Sequence, residues 1–130
     1  MTYVPGIRRK AVKRKSNELS EHDEQVRVVV YLHKLGKLVH STPNAGKRNP
    51  RLGKWLKDEG MAAGVPDLFI PMPCNGKPGL YIEMKVRAGG SVSDLQAWWL
   101  EQLQKQGYVA CVCKGHEQAI AVINEYFGIE

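Results

Sequence analysis

The spacing of apolar residues changes along the chain, and each change marks an element. From Ser20 to Leu35, Val28, Val29, Leu32 and Leu35 recur at three- and four-residue intervals, with Glu21 and Gln25 on the same side. That spacing predicts an amphipathic helix. Ser20 suits its N-cap, Asp23 is a short version of the capping-box acid, and Gly36 stands where a terminating glycine belongs. Leu38 to Ser41 reads as a short strand, ended by Thr42-Pro43-Asn44-Ala45-Gly46. Pro50 opens a short helix with Trp55 and Leu56 on its apolar side, and Trp55 is expected to pack rather than to stack on a base. Gly64 to Ile70 and Leu80 to Val86 are strand-like runs, and Asn75-Gly76 between them suits the turn of an antiparallel hairpin. Ser91 or Ser93 is the next N-cap, Ser93 with Gln96 making a capping box and Ser91 with Asp94 a weaker one, for a helix reaching Lys105 with Leu95, Trp99, Gln102 and Leu103 near one side and Gln96, Leu100 and Leu103 on an adjoining one. Gly107 ends it. Tyr108 to Cys113 predicts a strand, and 116–127 a last helix with Ala119, Ile120, Val122, Ile123 and Phe127 facing inwards. This alternation predicts an α/β fold, a central mixed sheet flanked by helices.

Two of the strands carry charge where a strand interior normally carries none. Pro66 fits a strand start, and Asp67 follows it. In the second run, alternation puts Tyr81, Glu83 and Lys85 on one face and Ile82, Met84 and Val86 on the other. If the two strands pair in register, Asp67 and Glu83 converge with Lys85 beside them. Two carboxylates about 4 Å apart repel by roughly 4 kcal/mol at an effective dielectric near 20, so the pair calls for a bound cation or a shared proton. Hard oxygen donors favour Mg²⁺ or Mn²⁺, which accept few protein ligands when water and phosphate complete the shell. The chemistry this suggests is metal-assisted phosphodiester hydrolysis. The plain alternative makes Asp67 a turn cap and Glu83 and Lys85 the solvated face of an edge strand.

At 130 residues the chain is one domain. Its charge sharpens the nucleic-acid reading. All 13 acidic residues lie at position 18 or later and are balanced there by 13 of the 19 Lys and Arg, so the net +6 comes from Arg8, Arg9, Lys10, Lys13, Arg14 and Lys15. Residues 1–19 therefore read as a flexible basic tail on a near-neutral body of residues 20–130, suited to salt-dependent phosphate contact or simply to solubility. Lys47, Arg48, Arg51, Lys54 and Lys57 form a second basic group without an acid among them. Such side chains hold backbone phosphates rather than read bases. Three cysteines, no secretory leader pattern and no long apolar segment point to a reducing, intracellular, cytoplasmic setting without a membrane. Cys111 and Cys113, with His116 nearby, raise the question of zinc but lack a second ligand pair, so they read as a strand face.

Pro66-Asp67, a gap of 15 residues, then Glu83-Met84-Lys85 resembles the signature of the PD-(D/E)xK nuclease superfamily. With Gly64-Val65 before it, Glu21-x-x-x-Gln25 earlier, and Gln96-x-x-Trp99-x-x-x-Leu103-x-x-x-Gly107 later, the chain is similar to stand-alone VRR-Nuc (virus-type replication-repair nuclease) domains from about Ser20 to Tyr126. The resemblance implies a restriction-endonuclease-like fold and one or two Mg²⁺ or Mn²⁺ ions, held by Asp67, Glu83 and the Met84 carbonyl. It implies that Glu21 completes the metal site, with Glu24, at the helix periphery, the alternative. Lys85 would orient or activate the attacking water, and Gln96 would contact the catalytic centre or a phosphate. Asn44 and Gly46 match the family's loop near the active site, with Ala45 inserted between them. Arg87 joins Asn44 and the basic group as a candidate DNA contact. The implied activity is cleavage of branched DNA by a homodimer, four-way (Holliday) junctions above all. Flap or nicking cleavage of forked DNA is the second expectation, and an inactive DNA-binding protein the third.

Overall fold

A computed structural model of the chain describes residues 18–43 and 50–130. Its elements follow the predicted order. They are α1 (Glu21–Lys34), β1 (His40–Ser41), α2 (Pro50–Asp58), β2 (Leu68–Ile70), β3 (Leu80–Lys85), α3 (Asp94–Lys105), β4 (Val109–Lys114) and α4 (His116–Phe127). The strands form one mixed sheet in the order β1-β2-β3-β4. β1, β2 and β3 pair antiparallel, whereas β3 and β4 run parallel across the α3 crossover. The protein is thus an α/β fold of restriction-endonuclease type, its mixed sheet flanked by helices.

Strand alternation sorts the residues onto two faces. Leu68, Ile70, Leu80, Ile82, Met84 and Cys113 pack against Val28 and Leu32 of α1 and Ala119, Ile123 and Tyr126 of α4. The last helix therefore buries Tyr126, with Phe127 only packed against the cluster from its edge. Tyr126 needs a partner for its hydroxyl, and finds the Met72 carbonyl at 2.7 Å. The other face carries Phe69 stacked on Tyr81, with ring centroids 4.2 Å apart, and Tyr108 edge-on to both. Farther along it lies Glu83, towards α3.

Helix ends obey the local signals. Ser20 Oγ accepts the Asp23 N–H at 3.0 Å, and both halves of the Ser93 and Gln96 capping box form. Three expectations require correction. The first strand begins only at His40, and Leu38, 62% exposed, precedes it as part of the chain entering a two-residue strand at the edge of the sheet. Trp55 is 64% exposed rather than packed: no residue of α2 is buried, so this short helix presents its indole to solvent. Glu24, expected at the periphery of α1, is fully buried. It stands four residues before Val28 and eight before Leu32, which places all three on the core-facing line of the helix.

Candidate active site

The hairpin register decides which charged groups meet. Leu68 pairs with Ile82, so Asp67, one residue before β2, comes opposite Glu83. At that point the Asp67 side chain takes over from the backbone ladder, and its Oδ2 accepts the Met84 N–H at 2.7 Å. Its own carbonyl still accepts the Thr42 N–H at 2.9 Å, tying the site to the chain beyond β1.

Glu83 is 3% exposed on the face towards α3. Its Oε2 accepts Gln96 Nε2 at 2.8 Å and lies 3.5 Å from Lys85 Nζ. Lys85 also donates to Gln96 Oε1 at 3.2 Å, and that same oxygen accepts the Ser93 N–H at 2.9 Å. Gln96 is thus both the cap of α3 and the bridge that orients Glu83 and Lys85. The backbone N–H of Ser93 fixes which end of the amide is the oxygen, and so directs its NH₂ at the carboxylate.

The approach to Asp67 is held by α3 as well. Trp99 Nε1 donates to the Ala63 carbonyl at 3.1 Å, and Gly64, at φ +92°, lies so close to Leu95 that a Cβ would come within 2.9 Å of its Cγ. Gly64 is needed for both its backbone conformation and this contact.

Electrostatics mark the cluster as short of positive charge. Burial, then the neighbouring Asp67, pushes the Glu83 carboxyl up to about 7 against the opposing pull of Lys85. Burial likewise raises Asp67, although the Met84 N–H and Lys85 favour its ionised form. Glu21 is raised by burial and by Asp67, with Lys85 opposing, so the first turn of α1 lies within the field of the cluster. A cleft of about 510 Å³ opens from Glu21 between α1 and β1, lined among others by His22, Gln25, Val29 and His40.

Among the described residues, no three His, Cys, Asp or Glu side chains are arranged closely enough to hold a metal ion. The structure brings Asp67 and Glu83 together directly and Glu21 only at longer range. Glu24 does not share the site. Cys111 and Cys113 are free thiols with sulfurs 3.9 Å apart, and the His116 ring is engaged by Glu24 instead, so a zinc group does not assemble.

The proposed phosphate contacts divide. Arg51, Lys54 and Lys57 lie exposed on α2, Lys54 within an ion pair with Asp58 at 2.9 Å. Asn44, Lys47, Arg48 and the basic tail lie outside the described residues, apart from the tail's last two positions. Arg87 is already occupied by Glu24 and Glu117. The contact network around Glu24, Arg87 and His116 escaped the sequence reading. Its available signal was the four-residue spacing of Glu24, Val28 and Leu32.

The VRR-NUC domain family model matches residues 10–117. The chain belongs to the VRR-NUC family. It therefore falls within the PD-(D/E)xK nuclease superfamily. A solved structure described as a "VRR_NUC domain protein" is similar to this VRR-NUC domain at 29% identity and a TM-score of 0.74, over 85% of this chain and 90% of the other. No curated protein matches it. Among the described residues, no helix is long and apolar enough to cross a membrane.

Proposed function

We propose that this VRR-NUC domain is a divalent-metal-dependent DNA endonuclease acting on branched DNA, with four-way junctions as the preferred substrate. The observation that carries the reading is the half-buried Asp67 set against the buried Glu83, with Lys85 and Gln96 fixed beside them. Burying like charges is costly unless a cation or proton offsets them, and here the raised carboxyls register that need.

The donor set suits Mg²⁺ or Mn²⁺, one or two per site. Asp67 and Glu83 would hold the ion, together with the Met84 carbonyl, which a strand directs to the same edge as its N–H. Glu21 would serve a second ion or its water. Bound there, the ion supplies positive charge to the scissile phosphate and lowers the pKa of a water. Gln96 keeps the Glu83 carboxylate turned towards the site and holds the Lys85 ammonium at the charge that builds on the phosphate in the transition state. Arg51 and Lys57 on α2 are open for backbone phosphates, which favours recognition by shape rather than base sequence.

Cleavage of two opposed strands needs two such sites, which a homodimer supplies. Cleavage of junction, flap, nicked and linear DNA in Mg²⁺ tests the proposal. Equal cutting of junction and linear duplex would remove the junction preference. Asp67→Ala and Glu83→Ala are expected to abolish cleavage and retain DNA binding. Cleavage surviving both would overturn the assignment.

A further inference from the structure

Besides Glu83, the buried charge among the described residues is Glu24. It is fully buried on α1, one turn after Glu21. Its Oε1 accepts the His116 N–H at 2.8 Å and lies 2.6 Å from His116 Nδ1. Its Oε2 makes no hydrogen bond among the described residues and is held by charge, with Arg87 Nε at 3.3 Å. Arg87 in turn reaches Glu117 at 2.6 Å. Burial opposes the ionised form of Glu24, but the His116 hydrogen bonds and the Arg87 charge outweigh it, and its pKa is lowered.

These contacts join three elements at one point. His116 opens α4, whose N-cap is Gly115 and has no side chain to cap it. The Glu24 carboxylate, reaching over from α1, accepts one of the free N–H groups there and complements the helix dipole. Gly115, at φ +86°, donates its N–H to the Lys85 carbonyl at 3.0 Å, and a Cβ on it would meet the Arg87 Cβ at 3.1 Å. The end of β3, the start of α4 and the first turns of α1 are thereby locked together two residues past Lys85 and one turn past Glu21.

We propose that Arg87 and Glu24 are positioning residues for the metal site: their ion pair sets the first turn of α1, and with it Glu21, against Asp67, Glu83 and Lys85. This rests on the nuclease reading for its consequence in catalysis, although the clamp itself does not. It also assigns the Arg87 charge to the protein rather than to a DNA phosphate.

Arg87→Gln and Glu24→Gln separate the alternatives. Titration with Mn²⁺ alone, followed by electron paramagnetic resonance, is expected to show affinity weakened about 10- to 100-fold in either variant, a range typical when a group supporting a metal ligand is lost. Cleavage should lose kcat by a similar factor at nearly unchanged KM, and Arg87→Lys should recover part of both. DNA binding measured in Ca²⁺ should keep its salt dependence. Wild-type Mn²⁺ affinity in Arg87→Gln, with the log–log salt slope reduced by about one, would overturn the clamp and make Arg87 a phosphate contact. If Arg87→Gln fails to fold, Glu24→Gln and Arg87→Lys, which keep the side-chain volume, decide the same comparison. A wild-type protein that takes up Mn²⁺ and cuts no DNA would remove the nuclease reading, and the Mn²⁺ affinities would still decide the clamp.

Discussion

At the scale of single residues, the site is governed by the cost of burying Glu83 beside Asp67. Glu83 has its folded pKa raised from 4.5 to about 7, so the folded metal-free protein binds a proton that the unfolded chain has released. The stability this provides is complete below about pH 4.5 and is lost as pH rises through about 7, a swing on the order of 3 kcal/mol. Chemical denaturation of the metal-free protein between pH 5 and 8 is expected to show that decline, and saturating Mg²⁺ to flatten it. Glu83→Gln should remove the same slope, raise metal-free stability at pH 7.5, and lose Mn²⁺ uptake. A metal-free stability independent of pH over this range would contradict the buried-pair account. Asp67, Glu83 and Lys85 were legible in the sequence because a strand alternates and a hairpin has a register, so charged residues in apolar runs can be placed against one another. Glu24 was not. Its spacing with Val28 and Leu32 was visible, yet only Arg87 and His116, 63 and 92 residues away, make a buried carboxylate tolerable there.

At the scale of elements, α3 is the part that assembles the site, through Gln96 at its first turn and Leu95 and Trp99 against the segment entering β2. Gly64→Ala is expected to destabilise by about 2 kcal/mol, since a side chain at φ +92° is strained and meets Leu95. Because Asp67 lies three residues on, the variant should also lose cleavage beyond what the fraction unfolded explains. Thermal melting read together with kcat checks this, and wild-type values for both would show that α3 does not set Asp67. The α2 helix makes a separate prediction. Arg51→Gln and Lys57→Gln should each lower the salt slope of DNA binding by about one without changing Mn²⁺ affinity. The Trp55 expectation failed for a physical reason that local pattern does not contain. An apolar residue on a short amphipathic helix is buried only if another element lies against it, and none of the described elements covers that indole.

At the scale of the whole molecule, charge is divided between a neutral body and a basic N-terminal segment. Replacing Arg8, Arg9, Lys10, Lys13, Arg14 and Lys15 by Gln is expected to reduce the salt slope of DNA binding by up to about five while leaving Mn²⁺ affinity intact. An unchanged slope would show that these cations do not meet phosphate. The order of elements, the two faces of β3, the caps at Ser20 and Ser93 and the pairing of Asp67 with Glu83 all follow from the sequence alone, because each depends on periodicity or on neighbours within a hairpin. The tertiary structure alone decided that Glu24 is buried, that Arg87 is committed to it, that Gln96 bridges Glu83 to Lys85 and that Trp55 is exposed. Those outcomes depend on which distant surfaces meet, and burial and charge compensation belong to the packed molecule rather than to any stretch of the chain.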